Sequence, residues 1–176
     1  ATANFAPNAQ TTVWIVNSIG GLSELTGDGI AATTTPYTAG TTAVAIDATG
    51  NLWTLNSSSP LLYETNQLGT QQRSISSGTG GLNAPVSLAI DGGGQVWVTN
   101  GNNTVSLFSN AGAALSPSGG FTDSSLDTPS GIAIDLGGSV WIANKTGSSI
   151  TRILGAAPPA APLSTAAKNN TTGARP

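Results

Sequence analysis

The residues able to do chemistry in this chain are few, and their types restrict what that chemistry could be. Among 176 residues there are 8 Asp and Glu, 5 Lys and Arg, and no His, Cys or Met. Without imidazole or thiol there is no Ser-His-Asp triad, no Cys nucleophile, no Cys/His zinc site and no haem ligation. Carboxylate chemistry remains: an acid–base pair in a cleft, or an oxygen cage for an ion such as Ca²⁺. The most regular acids are Asp47, Asp91 and Asp135, each 44 residues from the next. Cage ligands must converge on the ion at about 2.3–2.6 Å, and equivalent positions of successive repeats usually stand too far apart for that. Turn capping is the favoured reading of these three acids.

The other charges, Glu24, Asp28, Glu64, Arg73, Asp123, Asp127, Lys145 and Arg152, lie outside that motif. Glu24 and Glu64 are expected to be solvent-exposed. Asp127, just before Thr128-Pro129, reads as a turn former. Lys145, Arg152, Lys168 and Arg175 give the C-terminal part a mild positive bias that steers an acidic partner weakly at best. No catalytic, cofactor-binding or metal-binding residue is assigned. A net charge of −3 with five cations cannot assemble a phosphate-neutralising surface, which argues against nucleic acid.

The elements that hold these residues come from a repeat. Trp14, Trp53, Trp97 and Trp141 are separated by 39, 44 and 44 residues. Six residues before each stands Asn8, Asp47, Asp91 or Asp135, and three residues after stands Asn17, Asn56, Asn100 or Asn144. Gly50, Gly94 and Gly138 complete an Asp-x-x-Gly turn in the last three units, where Thr11 stands in the first. Such a return needs a residue with positive φ, which glycine supplies. Each unit reads as short antiparallel strands. The first strands are Val44–Asp47, Leu88–Asp91 and Ile132–Asp135; the second are Val96–Asn100 and its equivalents, carrying the Trp. The third strands are Leu22–Thr26, Leu61–Thr65, Thr104–Ser109 and Ser149–Leu154. A weaker fourth is expected near Ala31–Thr35, Gln72–Ser76 and Ala113–Ser116, and none is evident after Leu154. The Trp residues are read as core between units, and the Asn residues as starting the next turn. Val96-Trp97-Val98 and Val140-Trp141-Ile142 suit strands buried on both faces.

Four strands per 40–45 residues is the period of a propeller blade. The chain resembles the NHL-repeat β-propellers, particularly extracellular bacterial ones whose repeats run Pro-x-Gly-Ile-Ala-Ile-Asp-x-x-Gly-x-Val-Trp-Val-x-Asn. Pro129, Gly131, Ile132, Ala133, Ile134, Asp135, Gly138, Val140, Trp141, Ile142 and Asn144 stand in register with it, and Pro85–Asn100 matches nearly as well. The resemblance implies an all-β protein, a β-propeller of four antiparallel blades of about 44 residues over residues 1–154. It is followed by an extended Ala/Pro/Thr/Asn-rich tail, Gly155–Pro176. Family rings usually close with six or so blades, so the four units form either a compact ring or a partial ring completed by another copy or another chain.

Fold does not fix function. Related propellers include streptogramin-type lyases, which rely on His with acids and a divalent metal, and calcium-dependent lactonases using Asp, Glu and Asn. The leading expectation is a non-enzymatic propeller, without cofactor, acting through contact with protein, copies of itself included. A small-molecule or carbohydrate-binding propeller is the alternative, and a metal-dependent lactonase or lyase ranks below it. Low charge and abundant Thr, Ser, Asn and Gly lean towards a secreted or cell-surface bacterial protein. The apolar runs fall far short of the ~20 residues that span a bilayer. No leader-like segment opens the sequence, which suits a mature or trimmed chain. Sequons at Asn56, Asn102, Asn144, Asn169 and Asn170 are expected by chance in so Asn- and Thr-rich a chain.

Overall fold

The computed structural model describes residues 13–16, 22–25, 40–56, 58, 61–66 and 69–159. These build four antiparallel sheets. The first pairs β1 (Val13–Val16) with β2 (Leu22–Leu25). The second runs β3 (Thr41–Ile46), β4 (Leu52–Asn56), β5 (Leu62–Thr65), β6 (Gln71–Ile75). The third runs β7 (Pro85–Ile90), β8 (Val96–Asn100), β9 (Thr104–Phe108), β10 (Phe121–Thr122). The fourth has β11 (Pro129–Ile134), β12 (Val140–Asn144) and β13 (Ser149–Ile153). Helix is confined to one 3₁₀ turn at Thr79–Gly81 among the described residues. Among the described residues each strand pairs only within its own sheet, and no sheet is closed by a strand from another.

Local chemistry explains the meander. In each complete hairpin the Asp N–H donates to the carbonyl four residues on, and the Gly N–H donates back to the Asp carbonyl, at 2.9–3.0 Å. Gly50, Gly94 and Gly138 sit at φ 82°, 76° and 80°, as the Asp-x-x-Gly reading requires. The opening strand of each unit carries a bulge at one place, between Thr41 and Ala43, Pro85 and Ser87, and Pro129 and Gly131. Pro85 and Pro129 stand first on an edge strand, where the missing N–H breaks no ladder.

The sheets stack through unlike faces. Cross-strand register puts Trp53, Leu55, Leu62 and Ile75 on one face of the second sheet. They are buried against Leu88, Val96, Val98 and Phe108 of the third. The Trp97, Val105 and Leu107 face of the third packs in turn on Ile132, Ile134, Val140 and Ile142 of the fourth. The second and third units therefore each offer their Trp face to the Val/Ile face of the unit after them.

Two expectations about strands need correcting. The fourth strand of the third unit does not lie at Ala113–Ser116; only Ala114 bridges to Phe108, and the ladder resumes at Phe121 opposite Val105. The Leu107 carbonyl accepts from both the Leu115 and Ser116 N–H groups, and Ser116 Oγ donates across to the Gly80 carbonyl at 2.8 Å. That bulge lifts the chain off the edge. Val140-Trp141-Ile142 is not buried on both faces: Val140 and Ile142 are buried and Trp141 is exposed, since no further sheet of the described residues covers that side. The expected fourth strand at Ala31–Thr35 lies outside the described residues.

After β13 the chain crosses the turns of the last two units. Ala157 N–H donates to the Gly138 carbonyl at 3.0 Å, and Gly92 N–H donates to the Pro158 carbonyl at 3.2 Å.

Candidate interaction face

The repeated acids work inside their own turns. Oδ1 of Asp47 accepts from the N–H groups of Thr49 and Asn51, Oδ1 of Asp91 from those of Gly93 and Gln95, and Oδ1 of Asp135 from those of Gly137 and Ser139. The other oxygen accepts the indole N–H of the Trp six residues on, at 3.3, 2.9 and 3.0 Å for Trp53, Trp97 and Trp141. One carboxylate thus ties the turn to the seam side chain. Sequence reasoning saw Asp and Trp recur together without seeing this bond; their constant spacing of six is the signal. Burial raises the Asp47 pKa, but hydrogen bonds from Thr49, Asn51 and Trp53 outweigh it and hold the carboxyl below its ordinary value. The Trp141 N–H, then the Ser139 amide, hold Asp135 low in the same way.

Asn56 begins a turn as expected, its Oδ1 accepting from the N–H and Oγ of Ser58. Asn100 and Asn144 tie strands to the connection that leads into their own unit. Asn100 Oδ1 accepts from Asn83 N–H and its Nδ2 donates to Thr104 and Ser106 hydroxyls; Asn144 Oδ1 accepts from Asp127 N–H and its Nδ2 donates to the Ser125 carbonyl. Both are buried, so every polar atom needs a partner.

Glu64 is not exposed. It is 2% accessible, its Oε1 accepts from Asn51 Nδ2 at 2.8 Å, and its Oε2 pairs with Arg73. The register supplies the reason. Glu24, Glu64, Leu107 and Arg152 each stand opposite a Trp on the neighbouring strand, ten or eleven residues after it, so Glu24, Glu64 and Arg152 occupy one repeat position. At Glu64 that position falls inside a seam, where only a paired carboxylate can stay. At Arg152 it falls outside, and the guanidinium lies 4.6 Å over the Trp141 ring and donates to Ser139 Oγ. Asp123 Oδ1 accepts from the hydroxyl and N–H of Ser125, which lowers its pKa. Lys145 lies exposed on the turn between β12 and β13, its N–H donating to the Thr128 carbonyl.

Large apolar side chains are exposed at several turns and edges, among them Ile46, Leu115, Leu136 and Leu154, and also on the two end faces of the stack. Trp53 and Trp97 are 0% and 4% accessible, whereas Trp141 is 37%. Ala133, Ala143, Ile150 and Arg152 share its face and are exposed, Ile150 at 68%. At the other end Ile15, on the face of β1 opposite to Trp14, is 41% accessible, while Trp14 is half-buried towards β3. Separately, a cleft of about 570 Å³ opens between the third and fourth sheets, where the described residues give the fourth no outer strand; Trp97, Phe121, Leu126, Ile153, Asp123 and Arg152 are among its walls.

No protein-family model matches this chain, and no curated protein matches it. Solved structures do. A streptogramin B lyase superposes with TM-score 0.66 at 14% identity over 84% of this chain and 49% of that one. A catalytically inactive His-to-Ala variant of virginiamycin B lyase from Staphylococcus aureus, with quinupristin, superposes with TM-score 0.58 at 14% identity over 84% and 57%. PorZ, a bacterial surface component of the type-IX secretion system of Porphyromonas gingivalis, gives 0.58 at 19% identity over 82% and 23%. The chain spans about half the length of these lyases. These neighbours are propeller proteins, and with the stacked antiparallel sheets they define the chain as an all-β protein of β-propeller type.

Proposed function

We propose that this chain is a non-enzymatic extracellular β-propeller of four NHL-like blades, with residues 155–176 as an extended arm, that works through protein–protein contact as a structural surface module. The observation that carries this reading is the Trp141 face: the surface that forms the buried seam in the second and third units stands uncovered on the fourth. An apolar face built to seat a sheet, rimmed by one Arg, suits a protein partner. The regular acids are committed to turns and Glu64 to an ion pair, and the sequence lacks the residue type whose loss inactivates the lyase variant. An extracellular site accords with the low charge and with likeness to a bacterial surface component. A photo-crosslinking amino acid at position 150, expressed in the source cell, tests the reading. Polypeptide adducts at 150 that exceed those at exposed Gln71 are expected; equal or absent adducts overturn it.

The cleft between the last two sheets favours a second reading, binding of a small amphipathic molecule. Its volume of about 570 Å³ suits a ligand pocket, with apolar walls and two charged side chains of opposite sign. Ligand-induced quenching of Trp97 fluorescence, lost in Phe121→Ala, supports this use; a blank result over broad metabolite and glycan panels removes it.

A further inference from the structure

We infer that the uncovered ends of this chain recognise each other between copies: the Trp141 face of one chain seats the Ile15 face of a second, head to tail. This rests on the contact-module reading and names the partner. Ile15 occupies the position held by Thr54, Val98 and Ile142 in the following units, one residue after each Trp. All three are buried, Val98 and Ile142 under the Trp face of the preceding unit, whereas Ile15 is exposed. At the far end Trp141, Ala143 and Ile150 correspond to the face that covers such a residue in the seams between the second, third and fourth units. The two ends are therefore the two halves of one interface that the chain already makes within itself. Joining them needs no new chemistry, only the continuation of the stack.

Arg152 enters the new seam at the position Glu64 holds in an internal one. The Trp141 ring and Ser139 Oγ take part of its guanidinium, and the remaining N–H donors need acceptors from the second copy or from water at the seam. Head-to-tail contacts are heterologous and close into a ring when the rotation allows. One chain spans 49% of the streptogramin B lyase it resembles, so two chains supply the extent of one such propeller.

Sedimentation velocity and light scattering on the purified full chain test the proposal with two variants, Ile15→Arg and Ala143→Arg. Both positions are exposed, and circular dichroism with a thermal melt reports whether each variant folds. The wild type is expected to dimerise. Each variant alone is expected to be a folded monomer, weakened at least about tenfold in association. An equimolar mixture of the two is expected to form a heterodimer, because one variant keeps a sound Ile15 face and the other a sound Trp141 face. That rescue also shows that neither variant is misfolded; should either fail to fold, Ile15→Ser and Ala143→Glu replace them. A wild type that stays monomeric overturns the proposal. So does an Ile15→Arg variant that still dimerises, which marks a symmetric contact, or a mixture of folded variants that does not pair. The crosslinker at position 150 separates these failures from failure of the broader reading: adducts to a foreign polypeptide, with none to a second copy, overturn self-pairing alone.

Discussion

Asp91 shows what one side chain does in each unit. Its carboxylate accepts two turn amides and the Trp97 indole N–H, and it is buried. A hydrogen bond to a charged group contributes about 1.5–3 kcal/mol, and a buried donor left unmade costs about 1–3. Asp91→Ala is therefore expected to lose about 3 kcal/mol or more in urea unfolding. Asp135→Ala is expected to lose less, because Trp141 stands in contact with water. The acids also set a pH dependence. The Asp47 and Asp135 carboxyls titrate below their ordinary value in the folded chain, so the unfolded state takes up protons first as pH falls. Their contribution is complete above the ordinary carboxyl pKa of about 4 and is lost as pH drops through the lower folded values. Thermal midpoints measured from about pH 6 to 3 should fall in that window, and Asp47→Asn with Asp135→Asn should flatten the slope.

At the scale of the element, the turn glycines are not equivalent. Gly94 and Gly138 share the left-handed backbone, but a Cβ on Gly94 meets only Asn110 Cβ at 3.5 Å, whereas one on Gly138 collides with the Ala157 carbonyl oxygen. Gly94→Ala should cost about 1–2 kcal/mol of conformational strain. Gly138→Ala should cost more and release Ala156–Pro159 from the turns, read as faster amide exchange at Ala157. The Glu64–Arg73 pair behaves asymmetrically as well. Arg73→Ala leaves a buried carboxylate without its cation, while Glu64→Gln leaves a half-exposed guanidinium that water can reach. The first should lower the thermal midpoint more than the second. The hairpins were legible because they depend on residues four apart: Asp, Gly and the flanking β-branched pairs sit where local hydrogen bonding demands. The burial of Glu64 was not, because it depends on the adjoining strands and on the sheet stacked above.

Across the whole molecule, the four Trp residues have one register and different fates. Truncating Trp53 to Ala empties a closed seam and should cost about 3–5 kcal/mol. Trp141→Ala opens no closed seam but gives up the Arg152 stack and the hydrogen bond to Asp135, so it should cost less than Trp53→Ala, about 1–3 kcal/mol, yet it should abolish self-association. Unfolding curves and sedimentation on the two variants should separate stability from assembly in opposite senses. The third unit receives the Trp face of the second on one side and gives its own to the fourth on the other, and the equivalent face of the fourth is the one that stays exposed.

The sequence by itself determined the period, the Asp-x-x-Gly hairpins, the strands around each Trp and the propeller class, because these follow from local hydrogen bonding and from apolar residues recurring at one interval. Only the tertiary structure decided which Trp face is covered, that Asn100 and Asn144 clamp the connections, that Glu64 is buried and paired, and that the third unit's outer strand moves to Phe121. Each of those depends on what lies across a seam or on the next strand, and identical motifs meet different neighbours at the middle and at the ends of a stack.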